Sequence, residues 1–261
     1  MTVVHAIALG ILQGVTEFLP VSSSGHLALA QRLIPGFSQP GVVFDVALHL
    51  GTVVSVLAME ARRLREAVRY RYAFRLAAQL VVATVATAAV ALPLRHTAEA
   101  AFGQPLLVGC GLALSGLLLL LLPRGDEGRD APASGLRDAL FVGLVQGVAV
   151  MPGVSRSGST IVAGAVAGLQ QRWAADFSFL VSIPAVLGAV LVEAVAHRDA
   201  LAADPGFLLL CGAGAGAAAV SGALAITAVR LLLARGRLRV LAAYLLPLAG
   251  ASLVASVLGW W

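Results

Sequence analysis

The sequence has no lysine, only two cysteines and few charged residues of any kind. Charged residues make up 12% of the 261 residues, whereas a soluble domain has about 25%. Apolar residues make up 59%, and the mean hydropathy is +0.93. These values exclude a water-soluble globule, and they exclude a disordered chain, which needs the opposite balance. Because Cys110 and Cys211 both lie in apolar runs, we expect no disulfide framework.

All 18 basic residues are arginine, and the net charge is +5. A basic surplus also occurs in nucleic-acid-binding proteins, but here the arginines lie between apolar runs. That placement is typical of the signals that orient a membrane protein, so we expect no nucleic-acid partner. The first residues, MTVVHAIALG, lack a basic leader and a cleavage site, so we expect no removable signal peptide.

Long unbroken apolar runs indicate membrane-spanning helices, because a β-barrel would show short alternating segments. A spanning helix needs about 20 mostly apolar residues. Six runs meet that requirement: 42–60, 75–94, 104–122, 174–197, 207–230 and 239–258. Nothing indicates a second domain, so we predict a single integral-membrane domain over residues 1–261.

Two further apolar stretches, 3–34 and 138–171, are broken in the middle by proline, glycine and serine. Irregular backbone at membrane depth is stable only where it lines a cavity or is buried in protein. We therefore predict two re-entrant helix hairpins. The expected fold is an all-α polytopic membrane protein with six transmembrane helices and these two hairpins.

The two broken stretches repeat each other at a constant offset of 133 residues. The shared residues are Gly10, Gln13, Gly14, Val15, Val21, Ser22, Ser24 and Gly25, which recur as Gly143, Gln146, Gly147, Val148, Val154, Ser155, Ser157 and Gly158. The chain is thus predicted to contain two copies of a hairpin followed by three spans, over about 1–122 and 136–258. Because three is odd, the copies should have inverted topology, which places a binding site near the bilayer midplane.

The arginines predict the orientation in the membrane. If the loops after the first, third and fifth spans are cytoplasmic, 14 arginines lie inside and 3 lie outside. The inner set is Arg62, Arg63, Arg65, Arg69, Arg71, Arg75, Arg124, Arg129, Arg137, Arg172, Arg230, Arg235, Arg237 and Arg239, and the outer set is Arg32, Arg95 and Arg198. This bias follows the positive-inside rule, and both termini are then expected outside.

Both broken stretches carry a serine-rich loop that opens an apolar helix, predicted around 24–34 and 158–170. Serine is a good N-cap, and the exposed N–H groups of a first helical turn attract anions. Arg156 lies in the second loop and adds a planar donor that suits phosphate. Two such loops from opposite halves of the chain predict an anion-binding pocket.

Glu17 and His26 lie in the first broken stretch, where an ionisable residue is costly and therefore indicates function. A phosphoryl-transfer site needs positive charge on the phosphate, an activated nucleophile and often a divalent cation. Arg156 could supply the charge, and Glu17 with Gln13 could hold the cation. A serine near His26 could be the nucleophile, with His26 as its general base. An attacking water, or His26 itself, is an open alternative to Ser23.

The segments LGILQGVTEFLPVSSSGHL and MPGVSRSGSTI closely resemble the two signature regions of the bacterial undecaprenyl-diphosphate phosphatase family of the bacitracin-resistance type. The first matches the family's (E/Q)xxxE pattern through Gln13 and Glu17 and continues into PVSSSGH. The second matches PGxSRSGxT through Pro152, Gly153, Ser155, Arg156, Ser157, Gly158 and Thr160. The segment FSFLVSIP at 177–184 and the chain length also resemble the family, so the resemblance covers essentially the whole chain.

The resemblance implies hydrolysis of undecaprenyl diphosphate to undecaprenyl phosphate and phosphate. This reaction recycles the lipid carrier for cell-wall synthesis and confers bacitracin resistance. The resemblance also implies a divalent cation, Mg2+ or Ca2+, a bacterial inner-membrane location and a site reached from the periplasmic side. The expected partners are the lipid substrate and membrane lipids, with a homodimer as a candidate assembly.

The matched motifs assign roles to individual residues. The expected catalytic residues are Glu17, Ser23, His26 and Arg156, and the expected metal ligands are Glu17 and Gln13. The expected substrate-binding residues are Ser22, Ser24, Gly25, Ser155, Ser157, Gly158 and Thr160.

Some residues depart from the family pattern, and one other function fits the architecture. Many relatives have glutamate where this chain has Gln13. Asp45 and His49 stand where glutamate and glutamine are expected, so their role is open. The alternative function is an anion or lipid-phosphate transporter or flippase, because inverted repeats with broken helices are typical of transporters.

Overall fold

The computed structural model describes residues 1–37, 43–69, 72–196 and 205–259. These residues form ten α-helices, one 3-10 helix and no strand. The α-helices are α1 (Val3–Phe18), α2 (Ser23–Arg32), α3 (Val43–Arg69), α4 (Ala73–Phe102), α5 (Pro105–Leu120), α6 (Leu136–Val148), α7 (Arg156–Val166), α8 (Gln171–Ala196), α9 (Pro205–Ala234) and α10 (Ala242–Val257). The 3-10 helix, Leu238–Leu241, leads into α10.

Five helical segments among the described residues are long and apolar enough to cross a membrane: α3, α4, α8, α9 and the segment Leu238–Val257. The sixth predicted run, 104–122, forms α5, which has only 16 residues. At 1.5 Å per residue it rises about 24 Å, less than the roughly 30 Å of a hydrocarbon core. Five of the six predicted runs thus form long helical spans, and a crossing by the short helix α5 stays a prediction.

Each broken stretch folds as two short helices joined by a turn. In the first, α1 ends at Phe18 and α2 begins after Ser22, whose φ is +68°. In the second, Gly153 has φ +82°, and a Cβ at this position would lie 2.2 Å from the carbonyl oxygen of Val108 on α5. Only glycine allows this close approach. The two turns meet, since Ser157 Oγ donates to the Leu19 carbonyl at 3.3 Å.

The glycines shared by the two broken stretches make matching helix contacts. Gly10 on α1 packs so closely on α9 that a Cβ would lie 2.2 Å from the Gly214 carbonyl oxygen. At the offset of 133, Gly143 on α6 packs on α4, where a Cβ would lie 2.3 Å from the Ala83 carbonyl oxygen. Small residues permit such close approach of helix backbones in membranes. The sequence repeat therefore coincides with a repeat of packing.

A buried network of charged side chains joins α3, α8 and α9. Glu60 is fully buried, and it accepts from Arg63 Nη1 at 3.0 Å and from Arg230. Asp176 on α8 accepts from Arg230 Nη2 at 3.1 Å and pairs with Arg63. Two acids and two arginines thus neutralise each other where these three helices meet.

Contacts of the arginines group them at two ends of the bundle, apart from Arg156, which lies between the two broken stretches. Which end is cytoplasmic stays a prediction. Near the C-terminus of α3, Arg75 donates to carbonyls of the 121–135 connector, and Arg129 binds Asp138. At the other end, Arg32 donates to the Gly103 carbonyl at 2.9 Å. The predicted positions of Arg71 and Arg198 lie outside the described residues.

Candidate active site

Glu17 lies at the centre of the candidate site, at the end of α1. Its Oε2 atom accepts hydrogen bonds from Ser23 Oγ at 2.6 Å and from Gln13 Nε2 at 3.0 Å. Gln13 and Glu17 are four residues apart, so they share one face of the helix. The following turn reverses the chain and returns Ser23, the first residue of α2, to the carboxylate. Glu17 is 6% exposed, and hydrogen bonds satisfy its buried charge.

Arg156 connects the second broken stretch to Glu17. It is the first residue of α7, and its Nη2 atom donates to Glu17 Oε1 at 2.5 Å. Its Nη1 atom donates to the Ser178 carbonyl at 3.0 Å. Thr160 supports this position, because its hydroxyl lies 2.8 Å from the Arg156 carbonyl and 2.6 Å from Ser178 Oγ. Residues from the two halves of the sequence therefore form one ion pair.

His49, whose role the sequence left open, lies beside the carboxylate. Its Nδ1 atom is 2.7 Å from the Asp45 carbonyl oxygen and must donate, because a carbonyl oxygen only accepts. Its Nε2 atom is 3.4 Å from Glu17 Oε2. The imidazole nearest to Glu17 therefore comes from α3.

His26 is turned toward another helix. Its Nδ1 atom donates to the Ser22 carbonyl at 2.8 Å, and its Nε2 atom lies 2.7 Å from the hydroxyl of Tyr244 on α10. The two rings stack with centroids 5.7 Å apart. The structure does not join His26 to Ser23 or Glu17 by a hydrogen bond, so its role as general base stays a prediction. Tyr244 was missed because no local signal in an apolar span identifies a distant partner.

The serines and glycines of the two loops divide into capping and cavity-lining residues. Ser22 and Ser155 cap their helices, accepting from the backbone N–H of Gly25 at 3.2 Å and of Gly158 at 3.0 Å. Such N-caps satisfy donors that a helix start otherwise leaves free. Of the residues predicted to bind substrate, Ser24, Ser155 and Ser157 line a cavity, while Ser22, Gly25, Gly158 and Thr160 do not.

That cavity has a volume of about 380 Å³ and a polar end formed by Glu17, Ser23 and Arg156. An apolar groove of about 380 Å³ continues from it between α4 and α8. The two share Thr87, Val150 and other wall residues, and the groove extends to Arg95 and Glu99, toward the end of α4 opposite the arginine-rich loops. The site can thus hold a molecule with an anionic head and an apolar chain.

The oxygen atoms around Glu17 fit a hard divalent cation. Gln13 is fully buried, and its Oε1 atom has no hydrogen-bond partner. The Glu17 carboxylate and Ser23 Oγ line the cavity, while Gln13 turns its Nε2 atom to Glu17. Oxygen atoms of these three side chains are the ligand type that Mg2+ and Ca2+ prefer. No group of three or more histidine, cysteine or acidic side chains suited to a metal occurs in the part of the chain that the structure describes. A cation here would therefore keep several water ligands.

Comparison with known proteins identifies the family. The sequence profile described as Bacitracin resistance protein BacA matches residues 6–251. The chain belongs to the BacA family. This confirms the resemblance inferred from the two loop motifs.

Three relatives match along nearly their whole length. One from Syntrophotalea carbinolica, named undecaprenyl-diphosphatase, is 43% identical over 94% of this chain and 95% of its own. Relatives with the same name from Moorella thermoacetica and Gemmatimonas aurantiaca are each 40% identical. The alignment with the Moorella protein covers 95% of this chain and 96% of the relative. The alignment with the Gemmatimonas protein covers 94% of both chains.

Proposed function

We propose that this protein hydrolyses undecaprenyl diphosphate to undecaprenyl phosphate and inorganic phosphate. The observation that carries the proposal is the contact of Ser23, Glu17 and Arg156 at the polar end of a cavity that continues into an apolar groove. A nucleophile, a base and a phosphate-binding cation are thereby joined to a surface that suits an isoprenoid chain. The name shared by the relatives supports the same reaction.

Arg156 binds the terminal phosphate. In the resting arrangement its guanidinium faces Glu17, and an arriving phosphate competes for the same N–H donors. A guanidinium matches two phosphate oxygens at once, which orients the terminal phosphorus as well as offsetting its charge. The Ser178 carbonyl accepts a hydrogen bond from Arg156 Nη1, so the side chain needs to move little when Nη2 turns from Glu17 to a phosphate.

Ser23 is the nucleophile in this proposal, and Glu17 is its base. Ser23 Oγ attacks the terminal phosphorus while its proton passes to Glu17 Oε2, with which it already forms a hydrogen bond. The bond from that phosphorus to the bridging oxygen breaks, and undecaprenyl phosphate leaves with the oxygen. A water then cleaves the phosphoserine, which releases phosphate and returns a proton to Ser23.

Glu17 and Gln13 would hold the divalent cation, Mg2+ or Ca2+, through the oxygens described above. The bound cation would neutralise negative charge on the diphosphate. This assignment rests on the unpartnered Gln13 Oε1 atom. Chelation with EDTA should therefore lower turnover, and added Mg2+ or Ca2+ should restore it.

In the membrane we propose six crossings, with α5 as the short one, and two re-entrant hairpins, α1–α2 and α6–α7, in an inverted repeat. The matching contacts of Gly10 and Gly143 support this arrangement. The groove ends away from the arginine-rich loops, so the active site opens to the periplasmic side of the bacterial inner membrane. The reaction there would recycle the lipid carrier.

The test is phosphate release from C55 polyprenyl diphosphate by purified protein in detergent. Solubilised protein can hydrolyse but cannot transport, so release supports the phosphatase and its absence supports a transporter or flippase. The Ser23–Glu17 hydrogen bond favours hydrolysis, because a transporter has no need of a hydroxyl held against a base. Ser23→Ala is the matched negative control.

A further inference from the structure

Gln146 lies on the wall of the cavity and has one buried polar atom without a hydrogen-bond partner. It is the counterpart of Gln13 at the offset of 133, lies on α6 and is 3% exposed. Its Nε2 atom donates to Thr87 Oγ1 at 2.8 Å, but its Oε1 atom has no partner. Leaving a buried polar atom unpaired is costly. In a side chain that lines a cavity, an unpaired amide indicates that a ligand completes its hydrogen bonding.

If the Gln146 amide rotated by half a turn, its Oε1 and Nε2 atoms would exchange places, and the cavity wall would carry hydrogen-bond donors. The Thr87 hydroxyl now donates to the carbonyls of Ala83 and Gly143, which belong to helices α4 and α6 and have N–H partners there. The hydroxyl can therefore donate to Gln146 Oε1 at little cost. Gln146 Nε2 would then present two N–H groups to the cavity. An anionic ligand selects this orientation, because a carbonyl oxygen would repel it.

The position of this pair identifies which phosphate it meets. Thr87 lines both the polar cavity and the apolar groove, whereas Arg156 lines only the polar cavity. In a bound lipid diphosphate, the chain would lie in the groove and the terminal phosphate at Arg156. The other phosphate would then lie beside Thr87, where the cavity joins the groove. We propose that Gln146 and Thr87 bind the phosphate that stays on the lipid, an inference that rests on the proposed function.

The test compares two probes on purified protein in detergent, polyprenyl monophosphate and inorganic phosphate. Apparent affinities come from the rise in melting temperature during titration, so turnover is not needed. Gln146→Leu should weaken polyprenyl monophosphate binding by about ten- to a hundredfold, the usual range for a hydrogen bond to a charged group. Its affinity for inorganic phosphate should change by less than about twofold, since Arg156 is intact.

Two further variants complete the design. Thr87→Val keeps the side-chain volume and should weaken the lipid monophosphate in the same direction, which covers the case that Gln146→Leu does not fold. Ser252→Ala is the matched control, because it removes a buried, unpartnered polar atom on α10, outside the cavity. It should change neither affinity. Equal weakening of both probes, or no weakening of the lipid, would overturn the assignment. If the wild-type protein releases no phosphate from C55 polyprenyl diphosphate, the proposed function fails, whatever the binding of these variants.

Discussion

Ser23 and Glu17 are joined by a 2.6 Å hydrogen bond between Oγ and Oε2, across the turn that separates α1 from α2. The same carboxylate forms the ion pair with Arg156 through its other oxygen. A single acid thus contacts both the group that can attack a phosphate and the group that can bind one. We expect substrate to draw Arg156 from Glu17, which leaves the carboxylate free to take the proton of Ser23.

Glu17→Gln keeps the size of the side chain while removing its charge. We expect phosphate release to fall at least a hundredfold, or about 2.7 kcal/mol of barrier, because the variant lacks both a base and a cation ligand. The measurement is phosphate release over a titration of Mg2+ and Ca2+, to which the variant should not respond. Glu66→Gln, at a partly exposed acid paired with Arg62, should behave as wild type. Normal turnover by Glu17→Gln would show that the acid only supports the fold.

Tyr244 and His26 should behave as one unit. Tyr244→Phe removes a single hydroxyl, and a hydrogen bond between neutral groups is worth roughly 0.5–1.5 kcal/mol. We expect kcat to fall by less than about tenfold, with KM nearly unchanged. In a double-mutant cycle with His26→Ala, the double variant should be no worse than His26→Ala alone. Additive losses would mean that the two side chains act separately.

The buried charge network predicts a loss of stability without loss of chemistry. Within the part of the chain that the structure describes, Glu60→Gln leaves Arg63 and Arg230 paired with one acid, Asp176. Breaking a buried ion pair costs about 3–5 kcal/mol, and we expect about 2 kcal/mol here because both arginines are partly exposed. The melting temperature in detergent should fall, while activity per folded molecule stays constant. An unchanged melting temperature would contradict this prediction.

The arginine distribution predicts which ends of the helices face the cytoplasm. In a background with Cys110 and Cys211 replaced by serine, Glu66→Cys should react with an impermeant thiol reagent only from the cytoplasm. His96→Cys, at the exposed opposite end of the bundle, should react only from outside. Labelling of both positions from the same side would refute the proposed topology.

Much of the fold follows from the sequence, because hydropathy and helix breakers are local properties. The runs 42–60 and 75–94 match the cores of α3 and α4, and the broken stretch 3–34 contains α1 and α2. The sequence did not predict how long each helix is. Apolar composition alone could not show that α5 has only 16 helical residues between Pro105 and its end at Leu120.

The site residues that the sequence predicted are those that stand in a recognisable motif. Glu17 and Arg156 each stand in a motif, and their loops were expected to meet across 139 residues of chain. His49 and Tyr244 come from other helices, and which residue a helix turns toward a site depends on how the helices cross. Periodicity does not encode that crossing. His26 was predicted at the site for its place beside the serines, but its ring turns toward α10.

Phosphate release by Arg156→Lys, beside the wild-type protein, tests the central claim most directly. Lysine keeps the charge but lacks the planar fork that matches two phosphate oxygens. We predict that the wild-type protein releases one phosphate per C55 polyprenyl diphosphate in detergent. The variant should be about ten- to a hundredfold slower, since losing one charged hydrogen bond costs about 1.5–3 kcal/mol. Both proteins should melt at similar temperatures. No release by the wild-type protein, or full activity in the variant, would contradict the account.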